Sequence, residues 1–125
     1  MRNSVGVAHR NAYSSAMTSS PPTIQLREVG LRDGLQSMAR VLPTTQKLAW
    51  LKGAYHSGLR EIEVGSFVPA RLLPQLADTA ELVEQALQLP GLTVSVLVPN
   101  LKGAEPALAS GAHWMLLPLS ASHAH

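Results

Sequence analysis

Four short apolar runs, each leading into polar turn residues and the first three each followed by a stretch with helical spacing, alternate along this chain. That alternation restricts the fold more than any other feature, because strands alternating with helices imply parallel pairing through crossover connections. Residues 23–29 (TIQLREV) alternate apolar and polar side chains and predict a strand. Residues 44–57 carry Leu48, Leu51, Ala54 and Tyr55 at helical intervals, with Pro43 and Thr44 as a start and Gly58 as a stop. Residues 61–64 (EIEV) predict a second strand. Residues 74–89 predict a second helix, with Leu76, Ala80, Val83 and Leu87 along one face and Pro90-Gly91 as its break. Residues 92–98 (LTVSVLV) predict a third strand, and residues 101–110 a third helix closed by Gly111. Pro106 removes an amide donor from that helix, so it is expected to begin late, near Gly103. Residues 114–119 predict a fourth strand.

Two architectures fit this order, a (β/α)8 barrel and a doubly wound open sheet. The polar residues separate them. Arg32-Asp33-Gly34 follows the first predicted strand, Glu63 and Ser66 lie at the end of the second, and Pro99-Asn100 follows the third. Ser120, Ser122, His123 and His125 follow the fourth. Barrels build their active sites at this end of the strands, from several strands at once. An open dinucleotide-binding sheet would instead carry a glycine-rich turn after its first strand, and GLRDGLQ contains no G-x-G-x-x-G. The expected fold is therefore α/β, a (β/α)8 TIM barrel of which about four strands and three helices are present. A whole barrel needs roughly 250 residues and eight strands. Residues 23–125 read as the N-terminal half of an incomplete catalytic domain, the remainder being missing or supplied by another chain.

Composition supports the outline. Hydrophobic residues make up 46% of the 125 and aromatics only 4%, so the core is built from Leu, Val, Ile and Ala, as in α/β layers. The formal charge of +2 is spread as single Lys and Arg residues, which argues against a nucleic-acid partner. No cysteine is present to form a disulfide or a thiolate metal site. No apolar run reaches the ~18 residues of a membrane span. Residues 1–22 carry Arg2, His9, Arg10 and five serines but no acid. They read as a disordered leader in a cytoplasmic protein or, alternatively, as a transit peptide for the mitochondrial matrix.

Among residues that could carry chemistry, Glu63 stands out. If Ile62 and Val64 face the helices, Glu63 points into the barrel, where a carboxylate needs a cation or a metal. Arg32, at the end of the adjacent strand, is the expected partner. Arg32 and Asp33 taken alone read as a solvated turn. His123 and His125 have the spacing to offer two imidazoles to one metal from a strand, yet they lie past the strand end and also read as exposed loop histidines. His56 and His113 are assigned no role, and Trp50 and Trp114 read as packing residues.

Three segments, REVGLRDGLQ (residues 27–36), IEVGSFVPARLLPQLADTAE (residues 62–81) and LVPNLKGAEPAL (residues 97–108), resemble the hydroxymethylglutaryl-CoA lyase family. RDG-x-Q alone is similar to an element shared with isopropylmalate and homocitrate synthases and the carboxyltransferase domain of pyruvate carboxylase. The SFV…PQ-x-AD and VPN-x-KG-x-E segments are the ones that point to the lyase. The resemblance implies cleavage of 3-hydroxy-3-methylglutaryl-CoA to acetyl-CoA and acetoacetate with Mg2+ or Mn2+, a reaction of leucine catabolism and ketone body metabolism. It implies Asp33 as a metal ligand, Arg32 as a catalytic arginine that also contacts substrate, Glu63 as its catalytic partner, and Gln36 and Ser66 on the substrate side. The expected partner is an acyl-CoA substrate, with no nucleic acid and no membrane; a homo-oligomer stays open for a full-length form. The chain departs from the family at Val64-Gly65, where Thr is usual, at residues 69–72, where Ser-Pro-Lys-Trp is common, and at His123, where Glu is frequent. These changes leave a related 3-hydroxyacyl-CoA open as the substrate. The family's remaining metal ligands, an H-x-H pair on a later strand and an asparagine, and its catalytic cysteine loop do not occur here, and His123 and His125 follow the wrong strand to stand in for that pair. A truncated non-catalytic chain and a condensing synthase of the same superfamily are the alternatives. The isolated 125-residue chain is expected to show no lyase turnover; Mg2+-dependent turnover that disappears in Arg32→Gln would overturn that expectation.

Overall fold

The β-branched and apolar residues of two short runs form the centre of the sheet. The structure, a computed structural model, describes residues 23–122. β1 (Glu61–Ser66), β2 (Thr93–Leu97) and β3 (Trp114–Leu116) pair in parallel in the order β1-β2-β3, with no reversal. Three helices connect and cover them: α1 (Thr44–His56), α2 (Thr79–Leu87) and α3 (Leu101–Ser110). Ile62, Val64, Val94 and Val96 are fully buried, together with Leu82, Val83 and Ala86 of α2 and Ala107 of α3. β1 is buried almost throughout, as parallel strands covered on both faces require.

The first predicted strand is the largest departure. Of residues 23–29 only Glu28 pairs, as a single parallel bridge to Ile62. The Glu28 amide donates to the Glu61 carbonyl at 3.0 Å, and the Glu63 amide donates to the Glu28 carbonyl at 2.8 Å. Ile24 and Leu26 are 87% and 68% exposed, so among the described residues their alternation meets no apolar layer that would hold a longer ladder. The last strand is likewise shorter than its apolar run. It stops at Leu116, two residues before Pro118, which has no amide to give a ladder.

Local chemistry sets the helix starts. Residues 74–78 do not belong to α2. Pro74–Leu76 is a single 3-10 turn, and the α-helix begins at Thr79. The Thr79 hydroxyl lies 2.7 Å from the Leu76 carbonyl oxygen and accepts from the Ser66 amide at 3.1 Å, tying the helix start to the end of β1. α3 begins at Leu101, not near Gly103, because Asn100 caps it: its side-chain oxygen accepts from the Gly103 amide at 3.1 Å. The Lys102 carbonyl, which Pro106 leaves without its helical donor, belongs to an exposed residue and can be hydrated. Gly111 ends α3 with φ at 79°, a left-handed stop.

Residues 30–34 (GLRDG), expected as a loop, form a π-helical turn, Gly30–Gly34, that buries Leu31 and precedes the buried Leu35. β1 also departs from a regular ladder. Glu63 pairs with Ser95 and Gly65 with Val96, so Val64 is an extra residue, a β-bulge. Gly65 is required there: a Cβ would fall 2.3 Å from Thr79 Oγ1. Gly65→Ala should therefore destabilise the protein by about 1–3 kcal/mol in urea unfolding. Gly53→Ala, in the open middle of α1 with nothing within 4 Å of the new methyl, should instead stabilise it by about 0.5–1 kcal/mol.

Candidate active site

Glu63 sits on β1 with a side chain only 1% exposed, between the fully buried Ile62 and Val64. A carboxylate in such a place is costly unless an opposite charge and hydrogen bonds meet it. Arg32, on the π-helical turn, supplies both: its Nε donates to Glu63 Oε1. The turn can bring Arg32 there because Leu31 and Leu35 anchor it in the core on either side. The same guanidinium donates from Nη1 to Asp33 Oδ1 at 3.0 Å. Gln36, one turn further on, reaches the same oxygen from Nε2 at 3.4 Å.

Arg32, Asp33, Gln36 and Glu63 thus form one cluster beside the middle of β1, because the strand runs on to Ser66, past the predicted end at residue 64. It is graded in exposure: Glu63 is sealed, Arg32 is 16% exposed, and Asp33 is 59% exposed at the rim. Its charges, one guanidinium against two carboxylates, leave an excess of one negative charge facing solvent. A hard-oxygen donor with that excess suits a divalent cation such as Mg2+ or Mn2+. Asp33 fits as one arm of such a site only. Among the described residues no group of three or more His, Cys, Asp or Glu side chains is placed to hold a metal.

Ser66, at the end of β1, stands apart from this cluster. Its backbone is tied to Thr79, and its buried hydroxyl has no hydrogen-bond partner among the described residues. It lines a cleft of about 300 Å³ together with Phe67, Asn100 and Lys102. A larger cleft, about 430 Å³, opens at the opposite ends of the strands around Leu59, Arg60, Gly91 and Trp114, away from Arg32. His123 and His125 lie outside the described residues. His113 accepts from the Val94 amide through Nδ1 at 2.9 Å, a structural contact at the start of β3. Trp50 packs beside Gly30, where a Cβ would come within 2.5 Å of its ring. Trp114 is half exposed, with the Arg27 guanidinium 5.8 Å from its ring centre.

Sequence reasoning passed over one buried charge. Lys47 of α1 is 1% exposed and pairs with Asp78 Oδ1 at 2.6 Å. The signal was present: Lys47 falls one helical turn before the buried Leu51, on the stripe that faces the core.

No family model matches the chain. Against individual proteins it is 42% identical over 112 residues to the mitochondrial hydroxymethylglutaryl-CoA lyase of Macaca fascicularis, covering 89% of this chain and 34% of that protein. Among solved structures, the HMG-CoA lyase of Bacillus subtilis superposes with a TM-score of 0.77 at 35% identity, covering 84% of this chain and 35% of that one. The chain belongs to the hydroxymethylglutaryl-CoA lyase family. It spans about a third of the length of the curated relatives it matches. Its three parallel strands and their helices match part of the (β/α)8 barrel of HMG-CoA lyases. An HMG-CoA lyase from Acinetobacter baumannii, solved with coenzyme A and 3-methylmalate, is also similar, with a TM-score of 0.70 at 36% identity over 78% of this chain and 32% of that one. Related lyases carry either mitochondrial or cytoplasmic in their names.

Breaking the Arg32–Glu63 pair from one side should be costly. Arg32→Met leaves a buried carboxylate without its cation and should lose about 3–5 kcal/mol in urea unfolding. The double variant Arg32→Met/Glu63→Leu should recover much of that loss, and simple additivity would show that the two side chains do not depend on each other.

Proposed function

We propose that this chain supplies the N-terminal part of the active site of a lyase that cleaves 3-hydroxy-3-methylglutaryl-CoA, or a closely related 3-hydroxyacyl-CoA, to acetyl-CoA and a keto acid. The observation that carries the reading is the sealed Glu63 of β1 gripping Arg32 beside an exposed carboxylate, Asp33. The family membership supports the reaction class, and the coenzyme A bound to the A. baumannii lyase supports a thioester substrate.

The reaction breaks a carbon–carbon bond. The tertiary hydroxyl loses its proton and becomes the ketone of the keto acid. The bond's electron pair moves onto the thioester, as an enolate that is then protonated to acetyl-CoA. Arg32 is the residue suited to the oxygen on which negative charge develops. Its Nε is committed to Glu63, which fixes the plane of the guanidinium and leaves the Nη edge toward the mouth. Glu63 acts by holding that plane and offsetting the charge. Gln36 steadies Asp33, whose carboxylate is the proposed metal ligand. When bound, Mg2+ or Mn2+ supplies a Lewis-acid charge that makes the substrate hydroxyl more acidic. Ser66 is assigned to the substrate side on its buried, unpartnered hydroxyl at the strand end. The general base is not among these residues.

The proposed setting is leucine breakdown and ketone body formation. The compartment is the cytoplasm, or the mitochondrial matrix if residues 1–22 serve as a transit peptide.

The test is acetyl-CoA release from 3-hydroxy-3-methylglutaryl-CoA by a complete lyase polypeptide carrying this segment. Arg32→Gln should lower kcat by about a hundred- to a thousandfold. Asp33→Asn should raise the Mn2+ concentration needed for half-maximal activity. Net consumption of acetyl-CoA with a keto acid would mark a condensing synthase and overturn the lyase reading.

A further inference from the structure

The Lys47 network lies outside the residues used so far, yet it ends at the site. Lys47 Nζ, fully enclosed, donates to the Gln75 carbonyl at 2.5 Å and to Asp78 Oδ1 at 2.6 Å. Asp78 Oδ2 accepts from the Thr44 hydroxyl at 2.8 Å, so the carboxylate is fixed at both oxygens. Lys47 therefore pins the backbone of residue 75. The side chain of Gln75 donates from Nε2 to the Met38 carbonyl at 2.6 Å. Met38 closes the turn that bears the site, its amide donating to the Leu35 carbonyl at 3.1 Å, immediately after Arg32, Asp33 and Gln36.

A buried lysine that only filled space would be a poor choice for α1. An apolar side chain of the same length gives equal packing without desolvating an ammonium, and such replacements are often neutral or stabilising. The charge gives direction: two of the ammonium's three donors fix one carbonyl and one carboxylate in a largely enclosed setting. We propose that Lys47 is a positioning residue. It sets, through Gln75 and Met38, where the turn holding Arg32 and Asp33 stands relative to β1. It touches no substrate. Its effect on turnover rests on the lyase reading, whereas its effect on the turn does not. A displacement of about 1 Å in such a turn can lower a rate up to about a hundredfold.

The test uses Lys47→Met, Gln75→Leu and the double variant in a complete lyase polypeptide carrying this segment. Amide hydrogen exchange of residues 35–40 is read alongside kcat and KM for acetyl-CoA release. The expected result is exchange about tenfold faster at residues 35–40 in both single variants, with kcat reduced about tenfold or more and KM little changed. Because both variants cut one path, the double should be no worse than the poorer single. Unchanged exchange at residues 35–40, or losses that multiply in the double, would overturn the proposal. If Lys47→Met does not fold, Gln75→Leu, which removes no buried charge, decides alone. If the unaltered protein shows no lyase turnover, the lyase reading falls, and the exchange measurement still decides the positioning claim.

Discussion

A carboxylate with almost no exposure, set in a strand between two fully buried aliphatic residues, is the constraint around which this molecule is arranged. Glu63 cannot occupy that place alone, since a desolvated charge costs several kcal/mol. Arg32 has to arrive at one particular point beside the middle of β1, and the chain between Val29 and Leu35 exists in its observed form to deliver it. Leu31 and Leu35 are driven into the core, Gly30 slips beneath the Trp50 ring, and the arginine between them is turned toward β1. Asp33 is then carried to the rim by its place in the sequence, next to a guanidinium that it shares with Glu63.

The result is a division of labour by depth. The deep member fixes orientation and never meets water. The middle member reaches both ways. The outer member is accessible to an ion or substrate. Sharing one guanidinium between two carboxylates keeps the cluster anionic overall without leaving either acid alone. An anionic rim of oxygen donors is the electrostatic setting in which a divalent cation and a developing oxyanion can be handled side by side.

Much of this could be read from the sequence, for identifiable reasons. The alternation of runs gave the parallel α/β class, because strand and helix periods differ and both are written in Val94, Val96, Leu82 and Val83. The Arg32–Glu63 meeting was also legible, because an acid flanked by Ile62 and Val64 in a strand must find a cation on its own face. Edges were not legible. Residues 23–29 have strand-like alternation, but pairing depends on what lies beside them, and among the described residues only Glu28 finds a partner. The π-helical turn is too short to show a period. The start of α2 was hidden because Thr79 spends its hydroxyl on the Leu76 carbonyl and the end of β1, a long-range preference that local spacing does not carry. Lys47 was missed because lysine is ordinarily a surface residue. Only its phase relative to Leu51 betrayed it.

The extra residue in β1 has a consequence for how this rim can change over time. In a regular strand, positions three apart look in opposite directions. Val64 inserts one step of phase, so Glu63 and Ser66 are matched by Ser95 and Leu97, two positions apart on β2 and therefore on one side of the sheet. A single-codon deletion at Val64 would remove no polar group and would leave Glu63 and Ser66 two positions apart in a regular strand, still on one side of the sheet. The bulge is thus a place where the strand can shed one residue and keep its faces, with the lost packing of a buried valine as the cost.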